Sequence, residues 1–168
     1  MRTAQSKIVS QEALGTLAQA WHSENKQIVL TNGCFDLLHV GHLRYLERAR
    51  QMGDLLVVGV NSDESVRALK GAERPILPEG ARAELVAGLE CVDYVVVFSE
   101  PNAVRLVETV RPHYYVKGGD YTEADLPEAE VVIKDEGFVV ILPLEGGYST
   151  TQIIQRIRQT ERRTVEGG

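Results

Sequence analysis

The feature that most constrains this chain is an alternation. Five short apolar runs, at residues 26–32, 54–61, 94–98, 114–116 and 138–142, are separated by stretches in which apolar residues recur at helical spacing. The first run centres on Ile28-Val29-Leu30 and the second is Leu55-Leu56-Val57-Val58-Gly59-Val60. Such runs have no polar face, so they fit strands covered on both sides. The helical stretches are 41–52, 63–69, 79–89, 102–110, 127–136 and 149–159. Strand alternating with helix predicts a doubly wound, Rossmann-like α/β fold: a five-stranded parallel sheet with helices on both faces and right-handed crossovers. Ligands of such sheets bind beyond the carboxyl ends of the strands, where strand order reverses. The loops after Leu30, Val60, Phe98, Val116 and Leu142 are therefore where function is expected.

Before the first strand, Leu14, Leu17, Ala18 and Trp21 mark an amphipathic helix with Ser10 as its N-cap. Residues 1–168 read as a single domain, with a helical extension over 1–25, a core over 26–158 and a frayed tail over 162–168. A chain of 168 residues buries a core without needing disulfides or metal. Cys34 and Cys91 lack CxxC spacing, which fits a reducing compartment and a cytoplasmic location. No apolar run approaches the ~20 residues of a membrane span, and the N-terminus has no hydrophobic signal stretch. A net charge of −6 argues against broad binding to nucleic acid. The one basic cluster, Arg156, Arg158, Arg162 and Arg163, is read as complementing the C-terminal end of the last helix.

The segment after the first strand, Thr31-Asn32-Gly33-Cys34-Phe35-Asp36-Leu37-Leu38-His39-Val40-Gly41-His42, concentrates chemistry. Asn32-Gly33 allows a tight turn, with Gly33 letting backbone approach a ligand. His39 and His42 stand three apart at the start of a helix, on one face, where free amides and the helix dipole favour an anion. Gly41 removes bulk between them. The same pair could begin a metal site, but no nearby Cys or Glu completes one at standard spacing. Asp36 is open between organising this site and an Asx-type turn cap.

This string resembles the first motif, G-x-F-D-x-x-H-x-G-H, of the nucleotidylyltransferase superfamily that carries the HxGH tetrapeptide. Gly147-Tyr148-Ser149-Thr150-Thr151, after the fifth strand, is similar to the second motif, in which hydroxyls and backbone amides at a helix start hold the triphosphate. Val116-Lys117-Gly118-Gly119-Asp120-Tyr121 resembles the adenylyltransferases of ADP-heptose synthesis. So does the stretch from Asn61 to Ile76, with Lys70 and Arg74 as candidate phosphate contacts. In the glycerol 3-phosphate cytidylyltransferases a Met stands at the place of Lys117 and an Arg at that of Leu144. The resemblance covers residues 26–158.

The resemblance implies transfer of AMP from ATP to a sugar 1-phosphate, giving ADP-heptose, a lipopolysaccharide precursor, and pyrophosphate. It implies His39, His42 and Lys117 as catalytic residues. The nucleotide and its phosphates would be held by Thr31, Asn32, Gly33, Phe35, Asp36, Gly41, Lys70, Arg82, Gly118, Ser149, Thr150 and Thr151, and the acceptor by Arg74 and Asp120. Mg²⁺ would be bound through ATP phosphates and water, with no ligand from the protein. It further implies a homodimer and an upstream heptose kinase and phosphatase on separate chains. Two other readings stay open: a cytidylyltransferase or other small-phosphate nucleotidylyltransferase, and a non-catalytic nucleotide-binding regulatory module on the same fold.

Overall fold

The structure, a computed structural model, describes residues 2–119, 121–143 and 147–166, with side chains through residue 160. Five strands, β1 (Ile28–Gly33), β2 (Leu55–Asn61), β3 (Tyr94–Phe98), β4 (Tyr114–Gly118) and β5 (Phe138–Leu142), form one sheet in the order β3-β2-β1-β4-β5. Every pairing is parallel, with Leu30 opposite both Val57 and Tyr115. The expected doubly wound sheet is thus the observed one. The order reverses between β1 and β4, so these two strands diverge towards opposite faces and leave a crevice beyond their carboxyl ends.

The described residues hold seven α-helices: α1 (Gln11–Ser23), α2 (Val40–Arg50), α3 (Asp63–Lys70), α4 (Glu79–Ala87), α5 (Val104–Val110), α6 (Ala129–Lys134) and α7 (Thr150–Glu166). Two cores result, one on each face of the sheet. On one face Leu14, Ala18 and Trp21 of α1, Leu106, Val107 and Val110 of α5, and Ala129 and Val132 of α6 cover Ile28, Leu30 and Tyr115. On the other, Leu46 and Ala49 of α2 and Ala83, Val86 and Ala87 of α4 cover Val29, Val58 and Val116. Val57 and Val58 are both fully buried although they point to opposite faces, the reason the strands read as unbroken apolar runs.

Both ends of the chain add detail to the expectations. Residues 1–25, read as a helical extension, pack onto the sheet. Ser10 caps α1 by accepting from the Ala13 amide, as expected, and α1 is one of the three helices that close a face of the sheet. Ile8 also bridges to Val95 in parallel beside β3, with the Val9 amide on the Val95 carbonyl at 2.9 Å. At the other end, α7 runs to Glu166, through most of the tail expected to fray. Its last turns, Gln-Thr-Glu-Arg-Arg, hold strong helix formers, so the polar composition that reads as a tail is also compatible with an exposed helix.

Candidate active site

β1 delivers the chain to the crevice and a compact loop carries it into α2. The loop is tight: Phe35 and Leu37 both take left-handed backbone, φ 48° and 49°, which non-glycine residues adopt at some cost. Phe35 is buried, with its ring against Gly33 and 5.5 Å from that of His42. A Cβ on Gly33 would come within 3.2 Å of the Phe35 ring, so glycine is what lets the loop fold back.

Asp36 secures this loop. Its side chain is fully buried and accepts from the amides of Ile76 and Leu77, at 2.8 and 3.0 Å, and from Arg74 Nε at 2.8 Å. Burial alone raises its pKa, but these donors outweigh it and hold the carboxyl below its ordinary value. The organising role, open from sequence, is therefore the structural one here. Arg74, read as an acceptor contact, spends its Nε on this pair.

His39 is the N-cap of α2 and His42 its third residue. Their rings stack with centroids 3.8 Å apart. The His39 amide donates to His42 Nδ1 at 3.3 Å, which leaves the His42 proton on Nε2, free to donate. His39 Nδ1 is buried without a hydrogen-bond partner. Burial, reinforced by His39 and opposed by Asp36, pushes the His42 pKa down to about 4, and burial lowers His39 as well. Both rings are thus neutral at pH 7. Gly41 keeps the space between them open: a Cβ there would lie 3.0 Å from His39 Nδ1 and 3.3 Å from the Tyr148 Cβ, so these neighbours would have to give way slightly. By helix geometry the amides of Val40 and Gly41 have no carbonyl within the helix to bond, and they end at the crevice.

A second helix start faces the first. Ser149 accepts from the Gln152 amide at 3.1 Å, as an N-cap does. Thr150 donates its hydroxyl to the Asp36 carbonyl at 2.6 Å, fastening α7 to the β1–α2 loop. Thr151 is exposed. The two hydroxyls are thus engaged in capping α7 and in fastening it to the β1–α2 loop.

From β4, Lys117 reaches across to β1, with Nζ 3.4 Å from both the carbonyl and Oδ1 of Asn32. Burial lowers its pKa and Lys70 adds to that, while Glu128 and Cys34 oppose. Lys70, exposed at the end of α3, therefore shares a field with Lys117. Gly118 closes β4, and Asp120 and Leu144 lie outside the described residues.

Two residues expected at the nucleotide are not presented to it. Arg82 is 0% exposed, with Nε on the Leu77 carbonyl, Nη1 on that of Cys34, and Nη2 on the Asn61 carbonyl and on Asp63 at 2.8 Å each. Its charge is spent joining α4 to the ends of β1 and β2. Thr31 is also 0% exposed and its hydroxyl lies 2.7 Å from that of Tyr45. Tyr45 gives its proton to the Val116 carbonyl at 2.9 Å, so Thr31 donates to Tyr45 and faces α2. Sequence reading missed Tyr45, Tyr115 and Glu128. The period-2 relation of Tyr115 to Lys117 on one strand was a usable signal for the second; for Glu128 there was none.

A parallel sheet whose switch point is flanked by two helix starts, a neutral histidine pair and a strand-end lysine is an arrangement suited to a phosphorylated ligand. The chain belongs to the cytidylyltransferase-like family, whose model matches residues 30–156. Among curated proteins it is similar to the bifunctional protein HldE of Geotalea uraniireducens, 52% identical over 91% of this chain. The chain spans 31% of that protein's length. Among solved structures, a lipopolysaccharide core biosynthesis protein from Thermoplasma volcanium is 30% identical with a TM-score of 0.60, covering 74% of this chain and 99% of the other. A pantoate-β-alanine ligase from Francisella tularensis, complexed with β-γ ATP and β-alanine, has a TM-score of 0.62 over 83% of this chain and 67% of its own. At 12% identity that likeness is one of fold.

Proposed function

We propose that this chain transfers AMP from ATP to D-glycero-β-D-manno-heptose 1-phosphate, giving ADP-heptose and pyrophosphate. The observation that supports it best is the stacked pair His39 and His42 at the start of α2, across the crevice from Lys117. The Val-Lys-Gly-Gly-Asp-Tyr string and the likeness to HldE and to a lipopolysaccharide core biosynthesis protein support the acceptor.

A phosphate oxygen of the sugar 1-phosphate attacks the α-phosphorus of ATP, forming a P–O bond as the bond to the β-phosphate breaks. The electron pair leaves with pyrophosphate. Because the nucleophile is already an anion, no strong base is needed, and catalysis is positioning plus stabilisation of phosphoryl charge. His42 Nε2–H donates to the α-phosphoryl oxygens, the amides at the two helix starts hold the outer phosphates, and Lys117 and Lys70 supply positive charge. Mg²⁺ would accompany the nucleotide and offset phosphate charge. Asp36, beside the histidines, is already engaged by three donors.

Incubating the protein with ATP, Mg²⁺ and heptose 1-phosphate and weighing the product by mass spectrometry tests the reading. ADP-heptose is expected. Parallel arms with CTP and with glycerol 3-phosphate separate the alternatives: a CDP product in preference to ADP-heptose overturns it, as does nucleotide binding without turnover.

A further inference from the structure

Asn32 and Lys117 lie on the same face of the sheet as Tyr115, since Leu30 pairs with Tyr115 and side chains alternate along each strand. That face is closed by α1, α5 and α6, whereas the histidines belong to the element on the other face. Tyr115 is fully buried, and its hydroxyl donates to Asn32 Oδ1 at 2.6 Å, the shortest contact of the side-chain amide. Lys117 approaches the same oxygen at 3.4 Å. An ammonium group has donors only, so the amide oxygen must face it. With Oδ1 held by two donors, the Nδ2 group of Asn32 is turned the other way. It has no hydrogen-bond partner among the described residues and is not buried.

Behind Tyr115 stands Glu128, a carboxylate on the N-cap of α6 that is 4% exposed and accepts from the Ala103 amide at 2.7 Å. Burial, reinforced by this carboxylate, raises the Tyr115 pKa far above the ordinary phenol value, so the hydroxyl stays protonated. The same carboxylate opposes the loss of charge that burial imposes on Lys117.

We propose that Tyr115 is a positioning residue: it fixes Asn32 with its amide nitrogen outward, so that Asn32 Nδ2 and Lys117 Nζ form one subsite for a phosphate monoester on the β4 side of the crevice. Two N–H donors beside a cation match the acceptor-only oxygens of a phosphomonoester and reject a second cation. The subsite rests on the proposed function only for the name of its occupant. It places the acceptor's phosphate on the β4 side, with the nucleotide on the histidine side.

The test uses Tyr115→Phe, which removes one hydroxyl and keeps the ring that fills the core. In the ¹⁵N-labelled protein, the order parameter of the Asn32 side-chain amide is expected to drop in the variant, since rotation about χ2 loses its anchor. An unchanged order parameter overturns the proposal, and this measurement needs no substrate. Steady-state kinetics with heptose 1-phosphate are expected to show KM for the acceptor raised about tenfold, the size of one neutral hydrogen bond, with KM for ATP unchanged. Asn32→Ala is expected to raise the same constant, and adding it to Tyr115→Phe to cost no more than about twofold further, because the two act as a unit. Additive effects, or an equal rise in both KM values, overturn the proposal. Absence of any turnover in the unaltered protein defeats the proposed function alone and leaves the amide measurement to decide this one.

Discussion

In the proposed mechanism His42 acts as a neutral ring. Its Nδ1 accepts from the His39 amide and its pKa is depressed to about 4, so near pH 7 it offers one proton, on Nε2, and no charge. If that donor acts mainly on the transition state, His42→Ala loses about two to three orders of magnitude in kcat with folding intact. Circular dichroism and a turnover assay check this, and turnover within a few-fold of the unaltered protein removes the residue from the mechanism. The depressed pKa also couples to stability. An unfolded chain binds the His42 proton near pH 6.5, the folded one only near 4, so stability due to this group is lost as pH falls from about 6.5 towards 4 and then levels off. Burial likewise depresses His39, and His113 is lowered by burial and by His22, so the contribution of His42 is isolated by difference. Urea midpoints at pH 7, 5.5 and 4 should fall less steeply in His42→Gln than in the parent protein. Parallel curves would show that His42 is not buried neutral.

At the scale of elements, the strands were legible because a sheet covered on both faces demands apolar residues at every position, which no other arrangement of this chain does as simply. The start of α7 was legible because Ser-Thr-Thr has few uses other than capping, whereas Asn32-Gly33, read as a tight turn, instead continues β1, paired with Gly59 and Val60. What a charge does was not legible. Arg82 and Lys117 look alike in a sequence, yet one is locked under α4 by four acceptors and the other reaches into the crevice. Replacing Arg82 by Met strands Asp63 and three carbonyls. It should cost about 3–5 kcal/mol of stability while leaving KM for ATP in the folded fraction within a few-fold. A phosphate-binding Arg82 would give the reverse, a stable protein with a weakened nucleotide site. The place of α1 was hidden in the same way, since an amphipathic stripe states that a face is buried and not against what. Trp21, 6% exposed and 4.7 Å from the ring of Tyr94, makes the check direct. Trp21→Ala should cost about 3–5 kcal/mol in denaturant unfolding, against about zero for an appendage.

For the whole molecule, the consequence lies in how the two ends of the chain meet. The first helix start of the proposed triphosphate site belongs to β1 and α2, the second to α7 after β5, and they are joined through Thr150 on the Asp36 carbonyl. A triphosphate lying across both helix starts therefore ties residues from opposite ends of the sheet's connectivity, and its binding energy adds to the stability of the fold as a whole. At a hundred times its Kd such a ligand contributes about 2.7 kcal/mol, which for a domain of this size raises Tm by about 5–10 °C. Thermal scans with Mg²⁺ and increasing ATP should show that rise, and the same concentrations of CTP should give less if the site is an adenylyltransferase's. Thr150→Val keeps the shape of the side chain and removes the tie. It should lower Tm without nucleotide and also shrink the ATP-dependent increment, since the second helix start is no longer held against the first. A full increment in Thr150→Val would mean that the triphosphate is held by α2 alone, and that the Ser-Thr-Thr segment serves only to start its helix.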